Sequence, residues 1–124
     1  FFNEGVNQFN DKHFQFTFTF LKENKKNCLD EHFTMLEPFL EKIKFNKLNR
    51  IKANLLTKTN KIIEHGMHTD QNKGTTGIFY TKFETGEKIK SEENKYVEFN
   101  SILKHTGSSC TDKNRRVVIN FNYI

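Results

Sequence analysis

The chain has 124 residues, 35% of them hydrophobic, and a formal charge of +5 from 20 basic and 15 acidic residues. That length suits one domain with a modest core, and the dispersed charges fit a solvated surface with weak attraction for anions, a nucleic-acid patch staying open as the alternative. No apolar run approaches membrane-spanning length and no signal peptide is visible; Cys28 and Cys110 fit neither a disulfide framework nor a zinc spacing, so both are expected as free thiols in a reducing, cytoplasmic compartment.

In chain order, His13 to Phe20 alternates apolar and polar residues, the pattern of a half-buried strand with its phenylalanines inward. Leu21 to Cys28 is polar and reads as a turn. Asp30 is placed to cap a helix beginning near Glu31, in which Leu36, Phe39, Leu40 and Ile43 fall on one face. Pro38 interrupts that face, so the helix starts late or kinks there. The helix is expected to pack on the outside of a sheet. After Asn46 short apolar runs alternate with polar breaks. The candidate strands are Leu48–Leu56, Lys61–His65, Thr75–Phe83, Lys88–Ser91, Tyr96–Asn100 and Arg115–Tyr123. Many short strands predict a sandwich or barrel, and a double-sheet jelly roll fits best because it encloses a ligand site. The whole chain, 1–124, reads as one domain: an N-terminal strand and supporting helix over 1–47, then a β core over 48–124.

Two segments carry the chemistry. In Met67-His68-Thr69-Asp70, His68 and Asp70 stand at i and i+2, which puts both side chains on one face of extended backbone. His105, in Lys104-His105-Thr106-Gly107, follows after a stretch long enough for several strands. Two imidazoles and one carboxylate form the facial-triad ligand set, which suits non-haem Fe(II) and leaves positions open for substrate and oxygen. Arg116 lies in the apolar last strand, where a buried cation needs an anionic partner. Arg116, Val118, Asn120 and Asn122 share one face of that strand; Arg115, Val117, Ile119, Phe121 and Tyr123 share the other. If Arg116 points into the barrel, Val118 and Asn120 line the cavity beside it, and Arg115 is the rival cation. His65 makes a zinc-like H-x-x-H with His68, but in a continuous strand its parity is opposite and it faces away.

His68-Thr69-Asp70, then His105, then Arg116 in an apolar last strand resembles the iron- and 2-oxoglutarate-dependent oxygenase superfamily. Within it the likeness is to the prolyl-4-hydroxylase-like branch, particularly its short bacterial and phage members, and it covers residues 48–124. Arg50-Ile51-Lys52-Ala53-Asn54-Leu55 resembles the strand before the iron motif, Thr75-Thr76-Gly77-Ile78-Phe79-Tyr80 the strand after it, and Asn94 to Asn100 the strand leading to the distal histidine.

The resemblance implies a mainly β fold, a double-stranded β-helix (a jelly-roll or cupin-like barrel) with one or two supporting N-terminal helices. It implies Fe(II) held by His68, Asp70 and His105. It also implies 2-oxoglutarate chelating that iron, with its far carboxylate on Arg116, a hydrogen bond from Tyr80, and Asn120 on the cavity wall. The implied reaction takes O2, with ascorbate as an optional reductant, and hydroxylates a C–H bond with release of succinate and CO2. The implied substrate is a peptidyl, prolyl-type residue or a small molecule. Nucleic acid is disfavoured, because Asn122 and Tyr123 stand where the demethylase branch carries a second arginine. Two other readings stay open: a non-catalytic jelly-roll binding or structural protein, and a metal-dependent cupin-type enzyme that does not use 2-oxoglutarate. The chain departs from the family pattern after Tyr80, which runs straight into Thr81 where relatives have a polar turn.

Overall fold

A computed structural model describes residues 2–4, 14–78 and 81–124. Among the described residues the protein is mainly β, arranged as two antiparallel sheets and two short helices. In chain order the elements are β1 (Phe2–Glu4), β2 (Phe14–Lys22), β3 (Lys25–Lys26), α1 (Asp30–Thr34), α2 (Glu37–Leu40), β4 (Leu48–Thr57) and β5 (Thr75–Ile78). Then follow β6 (Thr81–Phe83), β7 (Lys88–Ile89), β8 (Val97–Asn100), β9 (His105–Thr106) and β10 (Arg115–Tyr123). The large sheet runs β1-β2-β4-β10-β5-β8, with β3 paired to β2; the small sheet runs β7-β6-β9. Among the described residues no helix is long and apolar enough to cross a membrane, and Cys28 and Cys110 are both free.

The centre of the large sheet is the β4–β10 pair, and its register alternates two kinds of rung. Phe121 faces Ile51, Ile119 faces Ala53 and Val117 faces Leu55; between them Asn122 faces Arg50, Asn120 faces Lys52, Val118 faces Asn54 and Arg116 faces Leu56. Side chains alternate across a strand, so one face of this pair is apolar and the other largely polar. The apolar face carries the main core: Ile51, Phe121, Tyr123, Leu48, Phe20 and Leu21, covered by Leu36, with Phe39, Leu40 and Ile43 packed against them. The expected helical face therefore does cover the outside of a sheet. It does so from two one-turn helices, because Pro38 sits in the first turn of α2, where its missing N–H costs nothing. Asp30 is the first residue of α1 rather than its cap; Leu29 holds the cap position. The Asp30 carboxylate pairs instead with Lys26 at 2.8 Å.

The N-terminal strand corrects one expectation. Phe16 and Phe18 are 46% and 38% exposed, whereas Gln15 and Thr17 are buried. The phenylalanine face of β2 is the helix side: Phe20 is buried there, Phe18 packs edge-to-face against His32 of α1 while staying partly exposed, and Phe16 is more exposed still. The opposite face looks onto a polar cavity, so it buries Gln15 and Thr17. A register shift between Thr19 and Leu21 then turns Phe20 and Leu21 both into the core. His13 lies outside the described residues.

Two further expectations change. Lys61–His65 forms no strand; the segment follows the small sheet through isolated bridges, Glu64 to Ser108 and His68 to His105. Ser109 is one cause of the irregularity, because its hydroxyl accepts the Ile63 N–H that a ladder would otherwise use. The expected strand Thr75–Phe83 is two strands, β5 in the large sheet and β6 in the small one. Lys88–Ser91 shortens to Lys88–Ile89, while Arg115–Tyr123 has the expected bounds. Gly77 in β5 has a clear reason: a side chain there would collide with the Tyr96 hydroxyl.

The two sheets meet through Phe83 against Phe99 and Phe99 against His105, ring centroids 4.9 and 4.7 Å apart. A second, smaller apolar cluster of Leu56, Ile78 and Val118, backed by Phe99, lies beside this contact.

Candidate metal centre

His68, Asp70 and His105 converge, with one ligand atom from each lying within 4.8 Å of the others. Backbone pairing does this. His68 and His105 form an isolated antiparallel bridge in which each N–H donates to the other's carbonyl at 2.9 Å. That brings the imidazoles side by side, centroids 4.6 Å apart. Asp70, two residues on, returns to the same side. Its Oδ1 lies 3.6 Å from His68 Nε2 and its Oδ2 3.7 Å from His105 Nε2.

Both rings are oriented in the same way. Nδ1–H of His68 donates to the Gly66 carbonyl at 3.1 Å, and Nδ1–H of His105 donates to the Leu103 carbonyl at 2.9 Å. With Nδ1 protonated, each Nε2 presents a lone pair to the space beside Asp70, the orientation that metal-ligating histidines take from their outer partners. His105 is 1% exposed, and its Nε2 is a buried nitrogen with no hydrogen-bond partner among the described residues. A buried orphan acceptor is costly unless something fills its lone pair, and a divalent cation does so. Burial pushes the His105 pKa below that of an ordinary imidazole, against the opposing pull of the Leu103 carbonyl and Asp70, so the ring is held neutral and ready to ligate.

Asp70 is held from behind. Its side chain is 2% exposed. Asn122 Nδ2 and Thr76 Oγ1 both donate to Oδ2 at 3.0 Å. Arg50 Nη2 stands 3.5 Å from Oδ1, and Arg50 Nε donates to Asn122 Oδ1 at 3.0 Å. A relay extends behind Thr76: Gln71 Nε2 donates to Ser101 Oγ, which lies 2.8 Å from Thr76 Oγ1. Burial alone would raise the carboxyl pKa. The Asn122 hydrogen bond and the charges of Arg50, His105 and His68 outweigh it, leaving Asp70 below the ordinary carboxylate range and ionised.

The triad opens into a cavity of about 250 Å³ between the sheets. One wall is the polar face of β4 and β10, with Arg50, Lys52, Asn54 and Asn120; Leu56, Ile78 and Val118 make an apolar side. Asn120 lines this cavity as expected from its parity with Val118, and its Oδ1 has no partner among the described residues. Arg116 shares the face of Val118 and Asn120, but its Nη2 donates to Asp112 Oδ1 at 3.0 Å at the start of the strand, and it is not among the cavity-lining residues. Arg115 is exposed. His65, expected to face away, also lines the cavity, because the segment around it is not a continuous strand. Tyr80 lies outside the described residues.

Sequence reasoning did not single out Arg50, Lys52, Asn54, Thr76 and Asn122 as site residues. The signal was present in Arg50-Ile51-Lys52-Ala53-Asn54-Leu55, where polar and apolar residues alternate as strictly as in β2. Lys52 is half-buried on that wall. Burial lowers its pKa, the Arg50 charge adds to the effect, and Asp70 opposes it.

No family model and no curated protein matches the chain.

Proposed function

We propose that the protein is an Fe(II)- and 2-oxoglutarate-dependent dioxygenase that hydroxylates an unactivated C–H bond of a peptidyl, prolyl-type residue or a small molecule, working in a reducing cytoplasm. The observation that carries this reading is the convergence of two Nε2 lone pairs and one ionised carboxylate, with both Nδ1 atoms tied to backbone carbonyls and one Nε2 buried without a partner. Three ligands on one side leave room for a chelating co-substrate and O2 on the other, which is the facial-triad arrangement. A bound iron with 2-oxoglutarate and O2 would supply the oxidising power, yielding succinate and CO2 with the hydroxylated product.

The chain's own residues supply the rest. Asn122, Thr76 and Arg50 fix the Asp70 carboxylate and keep it ionised. The Gly66 and Leu103 carbonyls fix the histidine tautomers. Asn120 offers a hydrogen-bonding group on the cavity wall. The resemblance assigns the far carboxylate of the co-substrate to Arg116 and a further hydrogen bond to Tyr80. The topology supports a double-stranded β-helix, since from β5 onward the chain passes repeatedly between the large sheet and the small one before closing with β10 beside β4. A metal-dependent cupin-type enzyme without 2-oxoglutarate is the second reading, favoured by the pairing of Arg116 with Asp112.

Anaerobic titration of the protein with Fe(II) and 2-oxoglutarate distinguishes them. A weak visible charge-transfer band that needs both components and is lost in Asp70→Ala supports the oxygenase. A folded, metal-loaded protein with no band supports the cupin-type reading instead.

A further inference from the structure

The cavity contains a cation, Lys52, that makes no ion pair among the described residues. Lys52 stands on the polar wall one rung from Arg50, but Arg50 is committed to Asp70 and Asn122 whereas Lys52 has no carboxylate within ion-pair distance among the described residues. Its cross-strand neighbour Asn120 is 7% exposed, and its Oδ1 lacks a partner among the described residues, as does Oδ1 of Asn54, two residues along from Lys52. Beyond them Leu56, Ile78 and Val118 form an apolar flank. A half-buried ammonium with no carboxylate within ion-pair distance among the described residues is costly, and here it stands beside an apolar wall in the open-sided cavity that the metal-ligand triad also lines. Arg116 is paired outside the cavity with Asp112, and its cross-strand partner Leu56 lies four residues beyond Lys52, about 13 Å further along the strand.

We propose that Lys52 is the residue that receives the far carboxylate of a small dicarboxylic 2-oxo acid bound between the metal centre and the β4–β10 wall, with Asn120 alongside it. The ligand class follows from the surroundings: an acid group and neighbouring carbonyl for the metal end, a short methylene stretch for the apolar flank, and an anion for Lys52. This assignment rests on the oxygenase reading and departs from the family's placement of that role on the last strand. It makes β4, the first strand of the core, the determinant of which 2-oxo acid is accepted.

The test is calorimetric, under anaerobic conditions, with the protein loaded with Mn(II). Affinities are measured for 2-oxoglutarate and for 2-oxopentanoate, which has the same carbon chain without the far carboxylate. The proposal expects Lys52→Met to weaken 2-oxoglutarate binding by at least about tenfold, the range for a lost charge-assisted hydrogen bond. It expects unchanged affinities for 2-oxopentanoate and Mn(II), restored discrimination in Lys52→Arg, and little change in Arg116→Met. Preserved preference for 2-oxoglutarate in folded Lys52→Met and Lys52→Gln, or loss of that preference in Arg116→Met alone, overturns the proposal while leaving the oxygenase reading intact. Failure of the Mn(II)-loaded wild type to bind either acid overturns both.

Discussion

The two faces of the β4–β10 pair are made from the same two strands, one residue apart, and they serve different ends. On one face Phe121, Ile51, Ile119 and Ala53 meet the helices and form the core; on the other Asn122, Arg50, Asn120 and Lys52 face Asp70 and the cavity. The first face stabilises the fold by removing apolar area from water. The second faces an orphan imidazole nitrogen and an ammonium that makes no ion pair among the described residues, and each of these costs stability in the protein alone. The comparison teaches that one strand pair can carry the core on one face and, on the other, polar groups whose cost the proposed metal and its ligand would offset.

Substitutions on the two faces should therefore fail differently. The largest effect is expected for Asp70→Ala, which removes the one carboxylate of the triad. Metal affinity should fall by more than the roughly 10- to 100-fold that loss of an outer partner costs, while the far-ultraviolet circular dichroism stays that of the folded protein. Phe121→Ala attacks the other face and should lower unfolding free energy by about 3–5 kcal/mol in a denaturant titration, with metal affinity of the folded fraction unchanged. If Phe121→Ala abolished metal binding in protein shown to be folded, the separation of the faces would be wrong.

Asn122→Ala lies between these cases. It removes donors to Asp70 Oδ2 and Thr76 and the acceptor for Arg50, but no ligand atom. A loss of about 10- to 100-fold in metal affinity, read by competition with a chelator, is the outcome expected of an orienting residue. An effect as large as that of Asp70→Ala would show that Arg50 and Thr76 cannot hold the carboxylate alone.

A smaller effect concerns pH. The folded-state pKa values of His105 and Asp70 are both lowered. For each group the unfolded chain takes up its proton at a higher pH than the folded one, so the stability it contributes is present above the unfolded pKa and lost on acidification. The metal-free protein should hold its melting temperature above the ordinary histidine value of 6.5, lose stability as His105 is driven to protonate, and lose more below the ordinary carboxylate value of 3.8 as Asp70 follows. In His105→Gln the first of these losses should disappear and the second remain.

The sequence made some of this legible and hid the rest for physical reasons. His68, Asp70 and His105 could be picked out because their chemistry and order are specific, and the structure brings them together. The last strand was readable to its ends because nine residues of unbroken β pattern leave little choice. Face assignment failed in β2, where alternation reveals that two faces differ but not which one meets a polar cavity. Lys61–His65 failed because the Ser109 hydroxyl accepts the Ile63 N–H in place of a ladder carbonyl, and Thr75–Phe83 failed because a continuous β pattern says nothing about a change of sheet. Arg116 was placed on the correct face by parity, but its partner, Asp112, comes from the turn before the strand, where strand periodicity carries no information.

The most direct test of the account is a calorimetric titration of the metal-free protein with Co(II), monitored in parallel by visible absorption, for the wild type and Asp70→Ala. One equivalent bound by the wild type, with d–d bands that vanish in Asp70→Ala, is the predicted result. Equal binding by both proteins, or none by a folded wild type, would contradict the assignment of His68, Asp70 and His105 as a metal centre.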